Sequence, residues 1–286
     1  MLTAFGTSWS MIKASFKVLQ SDKELIIFPI FSAIAMLILT ALFAVPMFVG
    51  GFLEVVSTRG MQFADYLVLF LFYLLQYLII FMSNTALVAA AMIRLRGGDP
   101  TVADGIKVAF DKIVPIFIYA LIAATVGMLL SSAKREGKVL TNIIISIIGF
   151  VWTVATFLVV PILAMEDVGP VEAIKRSVMY LKKTWGEQLV GSFSISAVFN
   201  LAIFLVILLT VFAIMFLLQM TSLLWPVVVI GLIAALVVMM IGLASTTLNG
   251  IYTAAVYQYA STGETGSFFD KETIQQAFRS SNKTQI

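Results

Sequence analysis

Of the residue types that carry most enzyme chemistry, two are missing: 286 residues contain no His and no Cys. That removes the commonest general base and metal ligand, the near-neutral proton switch, the thiolate nucleophile and every disulfide. Three groups of polar residues remain. Glu166 and Asp167 are adjacent carboxylates that could suggest an acid–base or metal pair. Consecutive helical positions diverge by about 100°, and no imidazole stands by as co-ligand, so a capped or salt-bridged turn suits them better. The second group is a set of Ser, Thr and Asn residues inside apolar runs, with Asn84, Thr156 and Asn249 at its centre and Thr85, Asn200 and Thr246 beside them. One reading is a polar pocket in the inner half of a bundle, open to a small polar solute or a lipid headgroup. The other is hydrogen bonding between packed helices, worth about 0.6 kcal/mol each. The third group is the basic pairs Arg94 with Arg96, Lys175 with Arg176, and Lys182 with Lys183. These could bind lipid phosphates, at about 1 kcal/mol per charge beside an anionic leaflet, or could simply set topology. No apolar run carries an ionisable residue near its centre, as ion-coupled pumps usually do. No catalytic residue, cofactor or metal site is expected.

These side chains sit in a chain that only lipid can solvate. Mean hydropathy is +1.05, 61% of residues are apolar and 12% are charged, against about 25% charged in a soluble domain. No soluble core could hide that much apolar surface. The net charge of +3 and pI near 9.0 then reflect asymmetry between loops rather than a nucleic-acid partner.

Two-faced helices alternate with the apolar runs. Phe5, Trp9, Ile12, Phe16 and Leu19 recur at helical steps, with Lys13, Lys17 and Gln20 opposite. Val102, Ile106, Ala109, Phe110 and Ile113 make a second stripe. Val171, Ile174, Val178, Leu181 and Trp185 make a third, opposite Glu172, Lys175, Arg176, Lys182 and Lys183. Each helix is expected to rest on the membrane surface. Between them lie six runs of spanning length, about 25–53, 65–93, 113–131, 140–165, 189–218 and 223–259, each near or above the roughly 20 residues a bilayer requires. The first run follows Asp22, Lys23 and Glu24 and is about twice as long as a signal h-region, so it reads as a retained span. Ser21 with Glu24, and Thr184 with Glu187, have capping-box spacing, and Asp99 before Pro100 reads as an N-cap. Residues 50–60 read as a short outer loop, and 219–222 with Pro226 as the turn between the last two spans. Residues 261–286 form a tail whose short helix starts at Asp270, stapled by Phe269 and Ile274.

Of the 18 Lys and Arg residues, only Arg59, Lys134, Arg135 and Lys138 fall in the proposed outer segments, which places both termini in the cytoplasm and the chain in the cytoplasmic membrane. Met11–Lys17, Gly105–Asp111 and Ala173–Met179 each carry Ile-Lys on an amphipathic helix, followed about ten residues on by a break and an outward span. Asn84, Thr156 and Asn249 stand thirteen or fourteen residues before Gly97, Gly169 and Gly263. Three parallel repeats about the membrane normal, 1–93, 94–165 and 166–260, follow from that register. The fold expected is all-α, a six-span polytopic bundle with cytoplasmic interfacial helices and a threefold repeat.

The blocks DKELIIFP from Asp22, ALVAAAMIRLRGGDPTVADGIK from Ala86, VVPILAMEDVGPVEAIKRS from Val159, KKTWGEQLVG from Lys182 and LNGIYTAAVYQYASTGETGSFFD from Leu248 resemble, in order, a family of prokaryotic membrane proteins catalogued as domain of unknown function 6159. More distantly the pattern resembles the membrane-anchor domain attached to some glycerophosphoryl diester phosphodiesterases. The sequence has no room for their soluble catalytic domain, so that activity is not implied. The resemblance implies six helices and no reaction. The function expected is a non-enzymatic membrane module that engages the inner leaflet or a partner protein, the lipid bilayer being its expected partner and anionic lipids the candidates for its basic pairs. The alternative is a permease for a small polar solute or headgroup.

Overall fold

A computed structural model describes residues 2–133, 139–185, 190–220, 225–264 and 268–269, and among them every regular element is helical. α1 (Leu2–Ser21) leads through a 3₁₀ turn (Lys23–Ile26) into α2 (Ile27–Val49). There follow α3 (Phe52–Arg59), α4 (Phe63–Leu95), α5 (Val102–Asp111), α6 (Ile113–Ala133), α7 (Val139–Ala155), α8 (Val159–Met165), α9 (Pro170–Trp185), α10 (Val190–Met220) and α11 (Trp225–Thr262). Among the described residues six stretches are long and apolar enough to cross a bilayer: Lys23–Val49, Phe63–Leu95, Ile113–Ala133, Thr141–Met165, Ser196–Gln219 and Trp225–Thr262. The protein is a polytopic all-α membrane bundle.

The helix ends differ from expectation in instructive ways. Ser21 is still inside α1, where its hydroxyl donates to the Lys17 carbonyl at 2.8 Å. The cap of the 3₁₀ turn is Asp22, whose extended backbone lets its carboxylate accept from the Glu24 amide at 3.2 Å. Pro100 precedes the α5 cap instead of entering the helix. Thr101 and Asp104 form the capping box, with Asp104 accepting from the Thr101 amide at 2.9 Å and Thr101 from the Asp104 amide at 3.3 Å. The loop at 50–60 is largely helical, because Gly51 at φ +63° turns the chain sharply and lets α3 start at once. Gly97 and Gly263 end α4 and α11 in left-handed backbone, but Gly169 does not; its carbonyl accepts from Ala173 at 2.9 Å at the start of α9. Pro226 falls in the first turn of α11 rather than in the connection, where a missing N–H costs nothing. The Thr184–Glu187 pair and the staple at Asp270 and Ile274 include residues outside the described set.

Helix α4 is the post around which the rest packs, touching α2, α5, α6, α8 and α11. Its second half is buried almost without interruption from Thr85 to Met92, then again at Leu95. Against it lie α8, with Val159, Pro161, Ile162, Leu163 and Ala164 buried, and α11 from Thr247 to Ala260. Val18, Leu25, Phe28, Ala109, Ala173 and Leu181 complete one continuous core. Small side chains in the run ALVAAAM let these helices approach closely. The far halves of the spans stay open to lipid: Phe48 is 86% exposed and Phe212 71%.

The two-faced helices turn small residues toward this core. Ser15 on α1, Gly105 and Ala109 on α5, and Ala173 and Ser177 on α9 are buried, whereas Phe16, Phe110 and Val171 are 47%, 60% and 58% exposed. The apolar stripe is therefore divided: Phe16, Ile106, Phe110, Ile113 and Val171 point outward, whereas Ile12 and Leu181 are buried and Leu19, Val102 and Ile174 pack half-buried against the core.

Two glycines set the spacing of α4. A Cβ on Gly105 would meet the Ala86 carbonyl and the Phe28 ring at 2.6 Å, and one on Gly250 would collide with Leu87. Gly105→Ala and Gly250→Ala should each cost about 1–3 kcal/mol by overpacking, read as a lowered Tm in detergent. Gly231→Ala and Gly242→Ala, where nothing lies within 4 Å, should be neutral or slightly stabilising.

Candidate functional site

The ends of α1, α4, α5, α8, α9 and α11 meet in one polar belt at one end of the bundle. The Glu166 carboxylate leaves the end of α8 and accepts from Arg176 on α9, from the Tyr180 hydroxyl at 3.0 Å and from the Tyr257 hydroxyl of α11 at 2.9 Å. Arg176 also donates to Glu172 at 3.3 Å. Lys112, between α5 and α6, donates to the Glu166 carbonyl at 3.4 Å and to Asp167 at 3.0 Å. The two adjacent carboxylates diverge fully: the Glu166 side chain is 15% exposed and that of Asp167 lies in solvent. They form two salt bridges, not an acid–base pair. Glu166 and Glu172 hold the Arg176 pKa above its usual value, and burial first, then its hydrogen bond to Glu166, raises that of Tyr180. Tyr180 follows Arg176 by one helical turn, a spacing that could have flagged both as partners of one acid.

Beside this, Arg94 donates to the Ser21 carbonyl at 3.1 Å, the Gly98 carbonyl at 3.2 Å and Asp99 at 3.1 Å. Glu24 accepts from the Val102 amide at 3.1 Å, so the carboxylate expected to cap its own helix caps α5 instead. Of the candidate lipid-phosphate contacts, Arg94 and Arg176 are thus engaged in ion pairs with Asp99 and with Glu166 and Glu172. Arg96, Lys175 and Lys182 are exposed and make no ion pair among the described residues, whereas the Lys183 side chain lies outside them.

The fourth span is broken. Pro161 has no N–H to donate to Phe157 and its ring crowds that carbonyl, so the chain unwinds between α7 and α8. The freed Leu158 amide donates to the buried Ser177 hydroxyl of α9 at 3.1 Å. This interruption was not expected from a run that reads as continuous from 140 to 165.

Next to the break lies a cleft of about 560 Å³ between α4, α7, α10 and α11. Asn84, Asn200, Thr246 and Asn249 all line it, joined by Thr153, Ser196 and Thr253. Two of the six residues expected there do not. Thr85 is one position round the helix from Asn84 and is fully packed, and Thr156 donates to the Trp152 carbonyl at 2.8 Å and lies within hydrogen-bonding reach of Tyr119. Asn249 donates to the Ser245 carbonyl at 2.9 Å. Asn84, Asn200 and Thr246 make no side-chain hydrogen bond among the described residues.

Two measurements probe these contacts. Ser177→Ala strands the buried Leu158 amide and should lower stability by about 1–3 kcal/mol, read from thermal unfolding in detergent. Burial raises the Asp22 pKa above 3.8, so the folded state holds that proton more tightly than the unfolded one. Wild-type stability should therefore fall as pH rises from the ordinary carboxylate range through the raised value. Asp22→Asn keeps the cap and should lack this slope, measured as the Tm difference between the two proteins from about pH 3 to about pH 7.

No curated protein matches the chain, and the more distant likeness to the phosphodiesterase membrane anchor is not shown. A family of unknown function, DUF6159, matches residues 63–268. That match covers well over half of the sequence and includes the post α4, the broken fourth span and the α10–α11 pair, so the chain belongs to the DUF6159 family.

Proposed function

We propose that this protein is a non-enzymatic module of the cytoplasmic membrane whose elbow helices α1, α5 and α9 engage the inner leaflet, with both termini in the cytoplasm. The observation that carries this reading is the way each elbow divides its surface: small residues against the core, Phe16, Phe110 or Val171 turned outward, and exposed Lys17, Lys107 or Lys175 beside them. A helix with protein on one side, lipid on a second and water on the third lies in the interface. Arg96 and Lys182, which make no ion pair among the described residues, add two cations at the same end, where anionic headgroups supply the complementary charge. The threefold repeat belongs to this proposal. The third residue after Ile in each Ile-Lys pair, Ser15, Ala109 and Ser177, is buried at 2% exposure or less.

A second reading, a permease, draws on one observation: a polar cleft beside an interrupted span is how many secondary transporters build a substrate site.

The leading reading is tested with protein in nanodiscs. Anionic lipid should raise Tm above that in zwitterionic lipid, and added salt should erase the difference. Arg96→Gln, Lys175→Gln and Lys182→Gln together should remove most of it, at about 1 kcal/mol per charge. An unchanged anionic-lipid effect in the triple variant would count against the proposal.

A further inference from the structure

We propose that the cleft beside the broken fourth span binds an uncharged, hydroxyl-rich group of the glycerol or sugar type within the membrane-spanning part of the bundle. The inference stands apart from the lipid-facing elbows. Depth comes first. Asn84 lies eleven residues before the end of α4 at Leu95, Asn200 ten after the start of α10 at Val190, and Asn249 thirteen before the end of α11 at Thr262. All three fall within the spanning stretches Phe63–Leu95, Ser196–Gln219 and Trp225–Thr262, where hydrocarbon rather than water surrounds the bundle.

Hydrogen bonding comes second. Amides that merely join packed helices find partners across the contact, but here Asn84, Asn200 and Thr246 face a common void with none among the described residues. At that depth an unsatisfied amide costs several kcal/mol, so the arrangement calls for a polar occupant. The volume of about 560 Å³ falls in the range of small-ligand sites.

Charge decides the class of occupant. The described lining holds amides, hydroxyls and apolar walls such as Val88 and Phe157, with no ionisable side chain. A phosphate or ammonium would enter uncompensated, at a large desolvation cost. Hydroxyl groups both donate and accept, as do the Asn amides and the Thr hydroxyl, and a ring or glycerol skeleton would rest on the apolar walls. Such a group can arrive as a free solute or as the headgroup of a neutral glycolipid.

The absence of native Cys makes thiol labelling clean. Thr246→Cys and, as a lipid-facing control on the same helix, Leu236→Cys are placed in the full chain in nanodiscs and reacted with a small maleimide, which consumes the thiolate that forms only where water reaches. Thr246→Cys should label at least about tenfold faster than Leu236→Cys. One arm adds glycerol or a hexose to the buffer; the other builds the disc with a monohexosyl diacylglycerol. Slowing of about fivefold or more in either arm supports the site and identifies the source of its ligand. Adding Asn84→Leu to Thr246→Cys, or Asn200→Leu should the first variant fail to fold, should preserve labelling and abolish protection. Equal slow labelling of both thiols would mean a dry helix contact and overturn the proposal. Fast labelling that neither arm slows would mean a cleft holding water alone, and protection that survives loss of the amide would place the ligand elsewhere; both also overturn it.

Discussion

Hydrocarbon offers a peptide group nothing to bond to, and each unsatisfied N–H or C=O there costs several kcal/mol. Most of this architecture answers that constraint. The long helices satisfy their own backbone, and their ends are closed where the chain leaves the lipid. Asp22 caps the first span, Thr101 and Asp104 close α5, and Glu24 reaches across to the Val102 amide. The one described backbone interruption within a span, at Leu158, is met by a hydroxyl from a helix that does not itself cross. Pro161 opens the gap and Ser177 fills it, so the two residues act as one device although they stand sixteen positions apart on different helices.

The same constraint explains why packing and charge are concentrated together. The buried run of α4, the stub α8 and the second half of α11 form the core, and the ion pairs of Arg94, Lys112 and Arg176 close over it. Arg94 with Asp99 and Arg176 with Glu166 each brace a tight turn, whereas Lys112 with Asp167 joins segments 55 residues apart. The acids and bases therefore fix how the elbows meet the spans, and Arg96, Lys175 and Lys182 stay exposed beside them.

Span number, order and approximate limits were legible because hydropathy is a property of composition along the chain. The facing of the elbows was not. Large apolar side chains dominate the periodicity of α1 and α9, yet close approach to α4 and α11 favours the small ones, so Ser15 and Ser177 are buried while Phe16 and Val171 are not. The cleft was half legible for a similar reason. Asn84, Asn200, Thr246 and Asn249 stand out as polar residues in apolar spans, but whether a neighbour such as Thr85 shares their direction depends on helix rotation, which no single span encodes. Thr156 fell to the unwinding caused by Pro161, whose consequence depends on a partner helix.

The largest buried cluster and the ion pairs of Arg94, Lys112 and Arg176 gather at one end, so the rods are knotted most firmly there, with smaller ties such as Phe43 on Phe72 and Arg59 on Asp65 farther along. A slight tilt at the knot becomes a wide swing at the tips, since displacement grows with distance from the tie. Of the rods that wall the amide-lined hollow, α4 and α11 are anchored in the knot along much of one half, whereas α10 shows no buried residue among those described.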